Sequence, residues 1–200
     1  MNSKLIFILL SLGFCSHLYA NDTLTRNFDI RLAGFKIGEL TAHQTKVNDS
    51  TINYSLTSNV SFWIFFKVNV DYSYNSTFLN GQLIQSEVKT FTNKGNYTST
   101  SKWEKDHYKI KVDAYDYKKD TTFSTPITFN IAKLYFEQPT QGTKVYADGY
   151  GILSLAELEA EKSYLVEVLG NKNRYYFKDG LLVRASMDSP IKNYEVLLIP

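Results

Sequence analysis

An all-β fold, a curved antiparallel sheet or open half barrel of long hairpins with one short helix packed against it, is what this sequence predicts. Three observations carry that expectation. From Phe66 the apolar residues fall on every second position (Phe66, Val68, Val70, Tyr72, Tyr74), with Lys67, Asn69, Asp71 and Ser73 between them, the period of a strand with one dry and one wet face. That strand runs into Phe78-Leu79-Asn80-Gly81, and an Asn-Gly pair readily takes the two positive φ values of a type I′ hairpin turn. Tyr175 to Val183 repeats the pattern, with Asp179-Gly180 at the turn.

In chain order, the first segment reads as an address and not as fold. Lys4 precedes the apolar run Leu5 to Leu12, too short to span a bilayer, and Leu18-Tyr19-Ala20 offers a cleavage site, which together read as a secretory signal peptide over residues 1–20. Lipidation at Cys15 is the alternative, but the bulky Phe14 stands where a lipoprotein signal carries a small residue. Cleavage after Ala20 is preferred, leaving a single β-rich domain over 21–200 in the periplasm or outside the cell. Cys15 is the chain's one cysteine, so no disulfide supports that domain in an oxidising compartment.

The domain then unrolls as strands. Asn27 to Leu32 alternates, and Gly34 and Gly38 interrupt Phe35 to Thr45 as bulges or sharp bends would. Ile52, Tyr54 and Leu56 mark the next strand. Tyr97 to Trp103 and His107 to Tyr115 form a further pair, followed by a charged loop at Tyr117 to Asp120. Ile127 to Phe136 reads either as a strand or as one helical turn leading into a strand. The single helix is expected from Ser154, whose side chain and Glu157 have capping-box spacing, to Lys162, with Leu153, Leu155 and Leu158 turned to the sheet. Tyr164 to Leu169, Asn173 to Phe177, Leu181 to Met187 and Tyr194 to Ile199 complete the strands. The last of them is expected to pair within the sheet and close it.

The search for chemistry is largely negative. Lys and Arg number 22 against 20 Asp and Glu, a balance without the concentrated basic surface that nucleic acid requires. His43 and His107 lie far apart on polar strand positions, and no metal-ligand spacing surrounds them. Nucleophile elbows and phosphate-cradling glycine loops are missing. No catalytic residue, metal or cofactor is assigned, and a non-enzymatic protein is expected. Fifteen Tyr and thirteen Phe against two Trp suit a β-rich chain and equally a surface for lipid or sugar.

The candidate ligand-binding residues are Phe62, Trp63, Phe65, Phe66, Val68, Val70, Tyr72 and Tyr74. The last five follow from the apolar phase of one strand. The first three follow from the run Phe62-Trp63-Ile64-Phe65-Phe66, in which alternation fails, so that either both faces are covered or some aromatics project at a rim. On the rim reading Phe62, Ile64 and Phe66 are buried and Trp63 and Phe65 stand partly exposed.

Phe28-Asp29-Ile30 through Phe35-Lys36-Ile37-Gly38, the Phe78 to Ser86 hairpin, Lys133-Leu134-Tyr135-Phe136-Glu137-Gln138-Pro139 and Asn173-Arg174-Tyr175-Tyr176-Phe177 together resemble an exported domain-of-unknown-function family of gram-negative bacteria. The resemblance covers nearly all of residues 21–200 and implies no catalytic residues. A looser architectural similarity links the chain to periplasmic lipoprotein-carrier half-barrels, in which a curved sheet wraps short helices and holds acyl chains. Two functions follow as expectations: a module binding a lipid or other apolar small molecule, or a structural protein with a filled core and an aromatic patch for an envelope partner. Neither needs a transmembrane span, and none is expected in residues 21–200.

Overall fold

A computed structural model describes residues 22–63, 66–93, 95–114, 117–159, 162–189 and 192–200. The signal segment, Ile64, Phe65 and Tyr115 lie outside them.

Fourteen strands among the described residues form one antiparallel sheet. The first eight are β1 (Asp22–Leu32), β2 (Phe35–Lys46), β3 (Thr51–Trp63), β4 (Lys67–Leu79), β5 (Gln82–Thr92), β6 (Gly95–Glu104), β7 (His107–Ala114) and β8 (Tyr117–Phe123). The rest are β9 (Lys144–Ala147), β10 (Ile152–Leu158), β11 (Ser163–Val168), β12 (Asn171–Lys178), β13 (Leu181–Met187) and β14 (Tyr194–Leu198). Each run is a meander of sequential neighbours, and β1 pairs with β14 to join the two runs. Phe28 opposes Leu198 and Ile30 opposes Val196 across that seam. The C-terminal strand therefore pairs within the sheet but does not close it. It sits in the middle, while β8 and β9 remain as edges.

Asn80-Gly81 takes φ of 50° and 78°, and Asp179-Gly180 takes 51° and 78°, the double positive φ of a type I′ turn whose twist suits a hairpin. Ala33-Gly34 (49°, 85°) and Leu169-Gly170 (51°, 81°) do the same, although Ala and Leu carry no such signal. After three of these turns the register slips by one residue: Phe78 opposes Leu83 but Thr77 opposes Gln85, leaving Ile84 as the extra residue. Val183 and Ile37 occupy the equivalent place. Such bulges deepen the local twist, which helps a wide sheet to curl. At Gly38, the end of the β2 bulge, a Cβ would lie 2.3 Å from the Asn59 carbonyl oxygen, so only glycine allows β2 and β3 to approach there.

The expected helix at Ser154 is a strand instead. Ile152 to Leu155 pair with β9 and Ala156 to Leu158 pair with β11. The Ser154 hydroxyl donates to the Glu167 carbonyl at 2.6 Å and makes no cap, and Leu155 and Leu158 are exposed while Ala156 is buried. A capping box stabilises a short isolated helix only marginally, because nucleation is unfavourable, whereas here each half of the segment gains a ladder with a neighbouring strand. The Tyr117 to Asp120 stretch, expected as a loop, belongs to edge strand β8, and lysines on an edge discourage pairing with other chains.

One part of the inner face is covered by the connection between the two meanders. Ile127, Phe129, Asn130, Ala132 and Leu134 are buried, and the segment's only regular structure is one 3₁₀ turn at Lys133–Tyr135 and a parallel bridge from Asn130 to Tyr146. Tyr108 holds one end, donating from its hydroxyl to the Leu83 carbonyl at 2.7 Å and accepting from the Ile127 amide at 3.1 Å. Arg26 holds the other, donating to the Tyr135 carbonyl at 2.6 Å. Tyr135 meets Phe28 edge to face at 5.3 Å, and Phe136 lies 5.7 Å from Tyr54. This plug does what the predicted helix was expected to do.

Candidate functional site

Beside the plug a cavity of about 720 Å³ remains, within the ~300–1,000 Å³ usual for small-molecule sites. Its β4 wall is Val68, Val70, Tyr72 and Tyr74, continued outward by Phe66. Strand alternation places these on one side, so every second β4 residue faces the cavity. Val88 and Thr90 of β5 extend this wall, and Asn173 and Tyr175 of β12 line the same space. In the sheet β12 is separated from β4 by β3, β2, β1, β14 and β13, so only curling of the sheet brings the two to one cavity.

The tight turn between β9 and β10 also lines the cavity, through Asp148, Gly149 and Tyr150. It is clamped by three strands of the other meander. Ser99 of β6 donates to the Asp148 carbonyl at 2.5 Å, Lys119 of β8 donates to the Gly151 carbonyl at 2.8 Å, and Tyr117 meets Tyr150 at 6.1 Å. Gly151 has φ +62°, and a Cβ there would fall 2.7 Å from Ile110 of β7. The two open edges of the sheet are thus tied through a turn and not through a ladder.

This clamping carries the Asp148 side chain indoors, where it is 1% exposed. Burial pushes its carboxyl up to about 7, held partly back by Ser86, Tyr74 and Asn130 beside it. None of these is aligned to give either carboxyl oxygen a hydrogen bond, and the Asn130 amide donates to Tyr74 and Ser76 instead. The Tyr175 hydroxyl is likewise buried without a partner, and burial raises its pKa, with Tyr194 and Tyr72 adding to the effect. Apart from Asp148, the one carboxylate among the described lining residues is Asp113, which pairs with Lys118 at 3.2 Å. No Lys, Arg or His is among the described residues that line it.

Of the eight candidate residues, the structure brings Phe66, Val68, Val70, Tyr72 and Tyr74 together on the cavity. Phe62 is half-buried and packs on the core without lining the cavity. Trp63, 73% exposed and opposite Lys67 in the ladder, belongs to the outer face. Phe66 is 40% exposed, at the mouth, where the rim reading buries it. Its place at the end of the strand, past the last ladder pair, is the reason. Phe65 and Ile64 lie outside the described residues. Asp148, Asn173 and Tyr175 escaped the sequence reading, since an Asp before Gly reads as a solvated turn.

His43 hydrogen-bonds Thr25 at 2.8 Å and His107 pairs with Asp106. Among the described residues no three His, Cys, Asp or Glu side chains gather as a metal site would. None of the helices among them is long and apolar enough to cross a membrane.

The comparisons with known proteins agree with the architecture. No curated protein matches the chain. Among solved structures it is similar to a beta-barrel-like protein of domain of unknown function DUF1849 from Brucella abortus, with a TM-score of 0.50 and 11% identity over 88% of this chain and 95% of that one. At that identity the likeness speaks for the fold alone. Residues 28–199 match the family described as domain of unknown function DUF6134, and the chain belongs to that family.

Proposed function

We propose that the protein is an exported, non-enzymatic binding module of the cell envelope that holds a lipid or other apolar small molecule inside its curved sheet. The observation that carries this reading is the cavity itself. A sheet of this width with an interior plug could have packed solid, yet about 720 Å³ remains beside Val68, Val70 and Tyr72. Apolar walls of that kind gain by excluding water, and an apolar occupant would extend the burial. Export rests on the Lys4 to Ala20 segment.

Native mass spectrometry of the protein purified from its own envelope tests the reading: a co-purifying lipid-sized mass is expected, and a bare chain mass under conditions that preserve a known lipid carrier would overturn it. N-terminal sequencing should begin near Asn21, and fatty-acid labelling that depends on Cys15 would replace export as a free protein by lipid anchoring. A partner-binding role is a second reading, supported by Trp63 and Phe35, which is 78% exposed, because large exposed aromatics usually mark contact surfaces.

A further inference from the structure

Two polar groups of residues that line the cavity, the Asp148 carboxyl and the Tyr175 hydroxyl, have no well-aligned hydrogen-bond partner, although Ser86, Tyr74 and Asn130 stand beside the first. Each is at least nine-tenths buried. Leaving such groups unsatisfied is unfavourable, more so for a charge, and native interiors rarely tolerate it without a use. Both come from the second meander, Asp148 from the β9–β10 turn and Tyr175 from β12, and they meet one space whose β4 wall belongs to the first and is apolar. The same space thus offers an apolar wall along Val68 and Val70 and two polar groups, from Asp148 and Tyr175.

We infer that the cavity takes a single-chain amphiphile with a hydrogen-bond-donating, non-anionic head, held by the Asp148 carboxyl as acceptor and the Tyr175 hydroxyl as donor. The inference rests on the cavity being a binding site. The head's chemistry follows from what surrounds it. With no cation among the described lining residues, a carboxylate or phosphate head would meet Asp148 uncompensated by any of them, and like charges juxtaposed in a buried site are strongly unfavourable. A hydroxyl head donates to the carboxylate, accepts from Tyr175, and relieves both orphaned groups. A charge-assisted bond is the stronger kind, so the ionised form of Asp148 holds the head best.

The groups facing Asp148 allow this dependence to be read without interference. Tyr72 and Tyr74 of β4, Tyr108 of β7, Tyr146 of β9 and Tyr175 of β12 all have their phenols pushed up by burial, away from neutral pH. Asp113 is paired with Lys118. Ser86 and Asn130 do not titrate.

The test is displacement of a fluorescent alkyl probe, bright only in apolar surroundings, from the purified protein by dodecan-1-ol and by dodecanoate. Near pH 8, dodecan-1-ol should displace it at a concentration roughly tenfold lower or more, given the penalty on like charges. In Asp148→Asn that gap should shrink severalfold, and Tyr175→Phe should weaken dodecan-1-ol. Because dodecan-1-ol has no titratable group, its affinity for the unmutated protein should rise severalfold as pH rises through about 7, which keeps the inference testable if a variant does not fold. Equal displacement by the two compounds, or a flat pH profile for dodecan-1-ol, overturns the head-group assignment while leaving the cavity as a site. Failure of the probe and of both compounds to bind overturns the binding-module reading itself.

Discussion

The two ends of β4 carry one alternating pattern and meet different surroundings. At the Asn80-Gly81 end, Tyr74, Ser76 and Phe78 face inward and are buried beneath the plug: Asn130 donates to Tyr74 and Ser76, and the Lys133 ammonium sits 5.1 Å over the Phe78 ring. At the other end Val68, Val70 and Tyr72 face inward just as regularly, and the cavity is in front of them. Tyr74 belongs to both, buried against Asn130 and lining the cavity. The difference teaches that alternation reports which side of a strand is dry, not whether protein or a ligand keeps it dry. That is settled by where a segment some fifty residues further on is laid down.

Truncation at the two ends should expose this difference most sharply. Phe78→Ala removes a ring packed on Tyr54 at 5.6 Å and should lower stability by about 3–5 kcal/mol. Val70→Ala, on the cavity wall, should lower it by about 1 kcal/mol, because its neighbours on one side are already absent. Urea unfolding of the two variants decides the matter, and equal losses would mean that the cavity end is packed in solution.

The carboxyl between the two ends should show itself in the pH dependence of stability. In the folded state Asp148 titrates at about 7, against 3.8 ordinarily. Below pH ~4 it is protonated in both states and is harmless. Between ~4 and ~7 the unfolded chain releases its proton while the folded chain keeps it, so stability falls as pH rises, and above ~7 the full penalty is present. At about 1.4 kcal/mol per unit the penalty reaches about 4 kcal/mol at most. Asp148→Asn should accordingly stabilise the ligand-free protein by about 2–4 kcal/mol near pH 8 and by far less near pH 4. Thermal melts at both pH values that shift alike would show the carboxyl to be hydrated or paired.

A smaller effect is expected where β4 turns back. Gly81→Val and its counterpart Gly180→Val meet no neighbouring atom within 4 Å, so the loss, on the order of 1 kcal/mol or more, comes from positive φ alone and should be alike in both. A much larger loss in one would tie that turn to packing. The smallest effect belongs to Trp63, beyond the cavity end on the outer face. Trp63→Ala should change stability by less than about 0.5 kcal/mol, and in a Trp103→Phe background the Trp63 emission should be red-shifted and open to quenchers. Blue-shifted, protected emission would place that aromatic in an interface.

Much of this architecture could be read from residues alone, and the misreadings follow a pattern. The β4 phase, the Asn80-Gly81 and Asp179-Gly180 turns and the C-terminal strand are decided by neighbours in sequence, through pleat geometry and positive φ. Ser154 to Lys162 has strong local helical signals, yet its first part, Ser154 to Leu158, forms strand, because two neighbouring strands offer its backbone a ladder. Asp148 looks like a solvated turn residue, and becomes a buried carboxyl of the cavity only because Ser99, Lys119 and Ile110, from three other strands, draw its turn inside.

By itself, then, the sequence determined an all-β chain, its hairpins, and the side of each strand that avoids water, since these depend on side chains two residues apart and on backbone freedom at single positions. Tertiary structure alone decided that β14 would join the two meanders in mid-sheet, that Ile127 to Phe136 would fill one end of the interior and leave the other hollow, and that Asp148 and Tyr175 would share the hollow. Those outcomes depend on curvature accumulated over many strands and on contacts between segments far apart in sequence, which no local pattern encodes.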